Sequence, residues 1–231
     1  MQYAWLIWSL LLVGVWLVVY LALDTKDKKQ EMLTVSLWTS LLGLTEPLFV
    51  PEYWSPPSLF NLALRTGFDI ESFIFTFSVG GIVVILYELI FHTVHEQMPI
   101  SARHLLRHRY HFWAIVSAPI IFTTILFMTK LNPIHSAAIA MFLGGLFTWY
   151  CQPNLKSKMF ASAFIFLGLY FIFFLTIIFM FPNFIKVWNI SAVSGVLILG
   201  MPLEELLFAF SFGFFWSSIY EHFIWRKIKI N

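Results

Sequence analysis

Two stretches of this chain place carboxylic acids in apolar, aromatic surroundings. Gly200 to Glu221 reads GMPLEELLFAFSFGFFWSSIYE, with Glu204 and Glu205 just after Pro202 and ahead of an apolar run. Gly67 to Glu88, GFDIESFIFTFSVGGIVVILYE, aligns with it without a gap. The pairs Gly67/Gly200, Glu71/Glu204, Phe75/Phe208, Phe77/Phe210, Ser78/Ser211, Gly80/Gly213, Tyr87/Tyr220 and Glu88/Glu221 are identical, eight in twenty-two positions. Two membrane helices can share phenylalanine by composition alone. Shared glutamates need another reason, because an ionisable side chain inside hydrocarbon is expensive and marks a site by default. A carboxyl kept neutral by apolar surroundings is a general acid, and an ionised one is a base or a counter-charge.

The elements that must position these acids follow from composition. With 60% hydrophobic, 19% aromatic and 11% charged residues, the chain cannot build a water-facing surface and belongs in a bilayer. Trp5 to Leu23 is an apolar run long enough to cross about 30 Å of hydrocarbon. No basic residue precedes it and Lys26, Lys28 and Lys29 follow it, which predicts an uncleaved anchor with its N-terminus outside. Further runs at 32–50, 70–92, 112–129, 134–151, 159–181 and 201–224 predict an all-α bundle of seven transmembrane helices in a single membrane domain, 1–231. Repeat one covers about 1–92, a connector helix about 112–129, and repeat two about 134–225, so helices 1–3 match helices 5–7.

Charge tests that topology independently of hydropathy. The loops assigned to the cytoplasm hold Lys26, Lys28, Lys29, Arg103, Arg107, Arg109, Lys156, Lys158, Arg226, Lys227 and Lys229, whereas the outer loops hold only Arg65, Lys130 and Lys186. Eleven against three obeys the positive-inside rule. Helices three and seven then run in the same direction, which makes the halves parallel repeats about an axis along the membrane normal.

On a helix Glu71, Phe75 and Ser78 share one face, as do Glu204, Phe208 and Ser211. Pro202 suits the first turn, where the helix dipole favours an anion while desolvation and the adjacent like charge favour a neutral acid. Glu46, followed by Pro47, has no partner in helix six and joins the candidate site. Glu88 and Glu221 lie seventeen residues beyond Glu71 and Glu204, roughly 25 Å along a helix, and are expected at the headgroups or capping the bundle. The segments Leu59 to Leu64 and Val193 to Leu199, each behind a Pro- and Trp-bearing approach, are too short to span and read as surface or re-entrant pieces.

Other chemistries lack their residues. The single cysteine, Cys151, excludes an intramolecular disulfide, and no GxGxxG supports a dinucleotide fold. The aspartates Asp24, Asp27 and Asp69 do not form paired Asp-rich motifs, and no lysine falls inside the seven runs to carry a Schiff base. The histidines of 92–111 lack the His-His pairs of membrane di-iron oxidases, so no metal ligands are assigned and the loop reads as a basic, headgroup-contacting segment.

Met201-Pro202-Leu203-Glu204-Glu205 with its Phe-rich helix, the counterpart Asp69-Ile70-Glu71, and Pro51-Glu52-Tyr53-Trp54 resemble the FAD-independent lycopene cyclases of the heterodimeric and fused membrane type found in bacteria, archaea and fungi. The first copy departs from the pattern, reading Asp69-Ile70-Glu71-Ser72 in place of a second Pro-x-Glu-Glu. The resemblance implies an integral protein of a bacterial or archaeal cell membrane. It also implies an acyclic carotenoid such as lycopene as substrate, no cofactor, no nucleic acid, and either self-association or carotenoid-pathway enzymes as partners. It implicates Glu204 or Glu205 as the proton donor and Glu71 as donor, base or electrostatic partner. Glu46, Phe75, Phe77, Pro202, Phe208, Phe210, Trp216 and Tyr220 would line the substrate, the aromatics stabilising a carbocation by cation–π attraction. A carotenoid- or lipid-binding protein without catalysis, or a proton-coupled transporter, is the alternative from another class.

The charge distribution carries one expectation of its own. A reporter fused at Asn231 should be cytoplasmic and one at Met1 external. Both on one side, in a protease-protection assay, would break the seven-helix topology.

Overall fold

A computed structural model describes residues 3–230. The ends that fix the predicted orientation, Met1 and Asn231, lie outside the described residues. Hydrocarbon offers the backbone no hydrogen-bond partners, so the apolar runs satisfy themselves as helices. These are α1 (Ala4–Ala22), α2 (Lys26–Ser40), α3 (Ile70–Phe91), α4 (His111–Met128), α5 (Pro133–Cys151), α6 (Lys156–Met180), α7 (Leu203–Trp216) and α8 (Ile219–Ile224), and the chain is an all-α membrane bundle. Five helices, α1, α3, α4, α5 and α6, are long and apolar enough to cross a bilayer.

The other two predicted runs are interrupted. The second starts earlier than its apolar stretch, at Lys26, and passes into a 3-10 segment, Leu41–Leu48, that contains Pro47. Proline lacks the N–H that an α-helix would need there. The seventh breaks at Ser217-Ser218, where the Ser218 hydroxyl donates to the Phe215 carbonyl, one turn back, at 3.0 Å. The sixth, in contrast, begins before its apolar run, and its first turn carries a buried Lys158. The apolar run 159–181 itself holds no lysine, and Lys158 stands directly before it.

The chain folds into two compact units. The first comprises the residues up to Ile82 together with Asn132–Ile134 and Leu169–Leu206. Here α2 and α3 touch through Gly80 and Gly81. A Cβ on Gly80 would fall 2.0 Å from the Thr39 hydroxyl oxygen, and one on Gly81 would fall 2.1 Å from Ser36 Oγ and 2.4 Å from Trp16 Nε1. The close approach lets the Trp16 indole N–H donate to Ser36 Oγ at 2.8 Å. The approach segments are ordered by 3-10 turns and end in Gly67 and Gly200, at φ +78° and +90°, each three residues before its helix. Asp69 caps α3, its Oδ1 accepting the Ser72 N–H at 2.5 Å. An isolated antiparallel bridge joins Trp54 to Trp188.

The second unit comprises Val83–Leu131, His135–Gly168 and the residues from Leu207 onward. A Cβ on Gly213, which aligns with Gly80, would meet Ala163 Cα at 2.9 Å, so α7 touches α6 as α3 touches α2. Helices α3 and α8 each exit through a left-handed residue, His92 at φ +48° and Trp225 at φ +58°, into strands that the hydropathy does not announce. Strand Thr93–Gln97 pairs antiparallel with Arg226–Ile230, and the central pair is His95 with Ile228. That pair is separated by the same 133 residues (228 − 95) that align Gly67 with Gly200 (200 − 67).

The glycine contact makes a stability prediction. Gly81→Ala forces a methyl into Ser36 and Trp16 and should cost about 1–3 kcal/mol. Gly14→Ala, with nothing within 4 Å of its added Cβ, should be neutral or slightly stabilising. Equal melting temperatures for the two variants in detergent would remove the close approach from the account.

Candidate functional site

The first unit gathers the candidate acids. The short hairpin Leu197–Ile198/Met201–Pro202 reverses the chain at Leu199 and Gly200, both at positive φ, and delivers Glu204 and Glu205 into the first turn of α7. A Cβ on Gly200 would sit 2.8 Å from the Ile185 side chain, so the turn is tight as well as left-handed.

Glu205 is buried and fully engaged. Its Oε1 accepts the Trp188 indole N–H at 2.8 Å and the Tyr53 hydroxyl at 2.9 Å, and its Oε2 accepts the Tyr170 hydroxyl at 2.6 Å. The three donors come from three segments: the loop after α2, helix α6, and the loop before α7. The two loops are held in register by the Trp54–Trp188 bridge, with Ser55 N–H donating to the Val187 carbonyl and Asn189 N–H to the Tyr53 carbonyl, both at 2.7 Å. Burial and the adjacent Glu205 push the Tyr53 hydroxyl well above its ordinary range, which keeps it a donor. An indole N–H can only donate, so Oε1 is held as an acceptor. A proton on Glu205 has its place at Oε2, where the Tyr170 hydroxyl can turn to receive it.

Glu204 and Glu71 are treated alike. Glu204 Oε1 accepts the Ser194 backbone N–H at 2.9 Å, and Glu71 Oε1 accepts the Leu59 backbone N–H at 2.7 Å. Each reads an amide of the approach segment before its own helix. Glu71 Oε2 is buried without a hydrogen-bond partner among the described residues, as are Asp69 Oδ2 and Glu46 Oε1. Glu46 lies within electrostatic reach of Asp69 and Glu205. Burial pushes the Asp69 carboxyl up to about 6, against the lowering effect of the Ser72 N–H.

Aromatic rings surround Phe75. Its ring centroid lies 4.9 Å from Trp5, 5.7 Å from Phe173, 6.1 Å from Tyr170 and 6.2 Å from Phe174. Trp54 packs on Trp5 at 5.1 Å, and Trp188 on Phe174 at 5.7 Å. Of the other candidate aromatics, Phe77 packs on Trp16 in this unit. Phe208 stacks on Phe212, Phe210 meets Phe164, Trp216 stacks on Phe212 and Tyr220 faces His95, all in the second unit. Sequence reasoning passed over Trp5, Tyr53, Trp54, Tyr170, Phe174 and Trp188 as site residues. Tyr53, Trp54 and Trp188 stand in the approach motifs and could have been nominated; nothing distinguishes Tyr170 from the phenylalanines around it.

The second unit holds a different set. Lys158 Nζ lies 2.8 Å from Glu88 Oε1 and 2.5 Å from Glu221 Oε1, and His95 Nε2 lies 3.0 and 3.5 Å from the same oxygens. Glu88 and Glu221, expected at the headgroups or capping the bundle, are both fully buried in an ion-paired cluster with Lys158. His108, His111 and Cys151 also converge in this unit. Burial, reinforced by His111, Arg107 and Lys227, holds the His108 imidazole below its ordinary range.

Comparison with known proteins comes to the half that carries the Pro-x-Glu-Glu helix. The family model described as lycopene cyclase matches residues 132–223, so this part of the chain, from before α5 into α8, is similar to that family. No curated protein and no solved structure matches the chain.

Asp69 supplies a pH prediction. Its folded value of about 6 exceeds the roughly 3.9 of a free aspartate, so the stability it contributes is full below about pH 4 and is lost as pH rises through about 6. Asp69→Asn keeps an Oδ1 acceptor for the Ser72 N–H but cannot ionise. The variant should melt higher than the parent at pH 8, with the difference gone by pH 4. A lower melting temperature at pH 8 would show that the ionised form is the one the fold prefers.

Proposed function

We propose that the chain is a lycopene cyclase, converting the acyclic ψ end groups of a carotenoid to β-type rings by acid–base catalysis in the membrane. The reading proceeds from the match of residues 132–223. The observation that carries it is the buried Glu205, held by three neutral donors beside the aromatic cluster around Phe75. The reaction needs a proton added to the terminal alkene, attack of a second double bond on the resulting cation to close the ring, and removal of a proton from the ring cation. Atoms balance and no electrons are transferred overall.

The donor and the base are assigned from hydrogen bonding. Glu205, held in place by three donors, is assigned as the counter-charge to the cation and the base, with Oε2 as the oxygen that takes up the ring proton. Glu71 and Glu204, each accepting one backbone N–H, are the proton donors' candidates, and Glu71 Oε2 has no internal partner to hold its proton away from a substrate. Rings of Trp5, Phe75 and Phe174 stabilise a passing cation through their faces without forming a bond to it. Glu46 and Asp69 complete the acidic lining, and Pro202 positions the turn.

The internal duplication belongs to the same proposal. It is supported by the shared contacts of Gly80 and Gly213, by the matched amide contacts of Glu71 and Glu204, and by Glu88 and Glu221 meeting on one lysine. The outward N-terminus and the carotenoid-pathway setting rest on the charge distribution and the resemblance.

In cells that accumulate lycopene, Glu205→Gln should abolish ring formation, and at least one of Glu71→Gln and Glu204→Gln should do the same, with protein levels unchanged. Tyr170→Phe and Trp188→Phe each remove one hydrogen bond to a charged group, about 1.5–3 kcal/mol, and should slow cyclisation roughly 10- to 100-fold. Pigment analysis reads all of these. Unchanged rings in all three glutamine variants would leave a carotenoid-binding protein as the better reading.

A further inference from the structure

The cluster of His108, His111 and Cys151 has no part in that chemistry. His108 ends a 3-10 turn, His111 opens α4 and Cys151 closes α5, so one helix end meets the loop that feeds another. All three side chains are buried. Both imidazoles turn the same atom to the sulfur: His111 Nδ1 lies 3.2 Å and His108 Nδ1 3.4 Å from Cys151 Sγ.

The outer side of His111 is fixed. Its Nε2 lies 2.7 Å from the His222 carbonyl, so that nitrogen carries the proton and Nδ1 presents a bare lone pair to the sulfur. The ring is clamped by parallel stacking, on Trp225 at 3.7 Å and on His222 at 5.3 Å. An imidazole whose far nitrogen donates to a backbone carbonyl, with its orientation set by packing, is how proteins prepare a histidine for a metal.

We propose that Cys151 Sγ, His108 Nδ1 and His111 Nδ1 bind a borderline-soft divalent cation of the Zn2+ type, as a structural clasp between the 92–111 loop and the end of α5. Thiolate and imidazole suit such a cation, whereas hard, oxygen-seeking ions would find no ligand here. A tetrahedral zinc, at about 2.3 Å from sulfur and about 2.0 Å from nitrogen, sets its sulfur and nitrogen ligands roughly 3.6 Å apart. The observed separations fall within a few tenths of an ångström of that, and the three ligand atoms lie within 4.8 Å of one another. Three protein ligands leave the fourth position to water. The thiol loses its proton on binding, and the complex carries one net positive charge.

The clasp is tested on the full chain, purified in detergent with a tag free of histidine. Loading with Co2+ should produce a thiolate-to-cobalt charge-transfer absorption at one equivalent per chain. Cys151 is the only cysteine in the sequence, so any such band reports this sulfur alone. Zn2+ should displace the cobalt and protect the thiol from an alkylating reagent. His108→Ala and His111→Ala should each weaken cobalt binding at least 10-fold, and Cys151→Ser should remove the band. A parent protein that shows no thiolate band after Co2+ loading overturns the proposal, whether or not the variants fold.

Discussion

The carboxylate of Glu205 is the interaction on which the first unit depends. A charge or an acid at this depth must be fully hydrogen-bonded to be tolerated, and here the three donors are Tyr53, Tyr170 and Trp188. Meeting that demand draws together a loop, a helix and a second loop that are 152, 35 and 17 residues from Glu205. The Trp54–Trp188 bridge, the tight turn at Gly200 and the packing of Trp188 on Phe174 then read as consequences. Loss of the Tyr170 hydroxyl would leave Oε2 without its donor, whereas loss of Tyr53 or Trp188 would leave Oε1 with one.

Trp54 opposes Trp188 in the first unit, His95 opposes Ile228 in the second, and Glu88 and Glu221 share Lys158. The 133-residue offset of His95 and Ile228 equals the offset in the alignment of Gly67 to Gly200.

Much of this was legible in the residues, for physical reasons. Apolar length announces α1, α3, α4, α5 and α6, because hydrocarbon leaves no other way to satisfy the backbone. The alignment picked out Glu71 and Glu204, each of which accepts an N–H from the segment before its own helix. Less accessible were features that depend on three-dimensional register. Tyr170 is one ring in an aromatic run, and only the turn of α6 aims its hydroxyl at Glu205. Lys158 precedes its apolar stretch by a single residue, so a hydropathy window assigns it to a loop while the helix carries it inward. Cys151 and the histidines of the 92–111 loop are separated by a whole helix, and no spacing rule joins them.

The two sets of buried glutamates differ in their partners. Glu88 and Glu221 face the Lys158 ammonium. Protonating either would strand part of a buried cation, and breaking such a pair costs about 3–5 kcal/mol. Glu205 accepts from two phenols and an indole, and Glu71 from a backbone amide, all of them neutral. A carboxyl among neutral donors can take up or release a proton without leaving an opposite charge behind. That freedom is what an acid or base in a carbocation reaction requires, and it is why the proposed roles fall to Glu71, Glu204 and Glu205 rather than to Glu88 and Glu221.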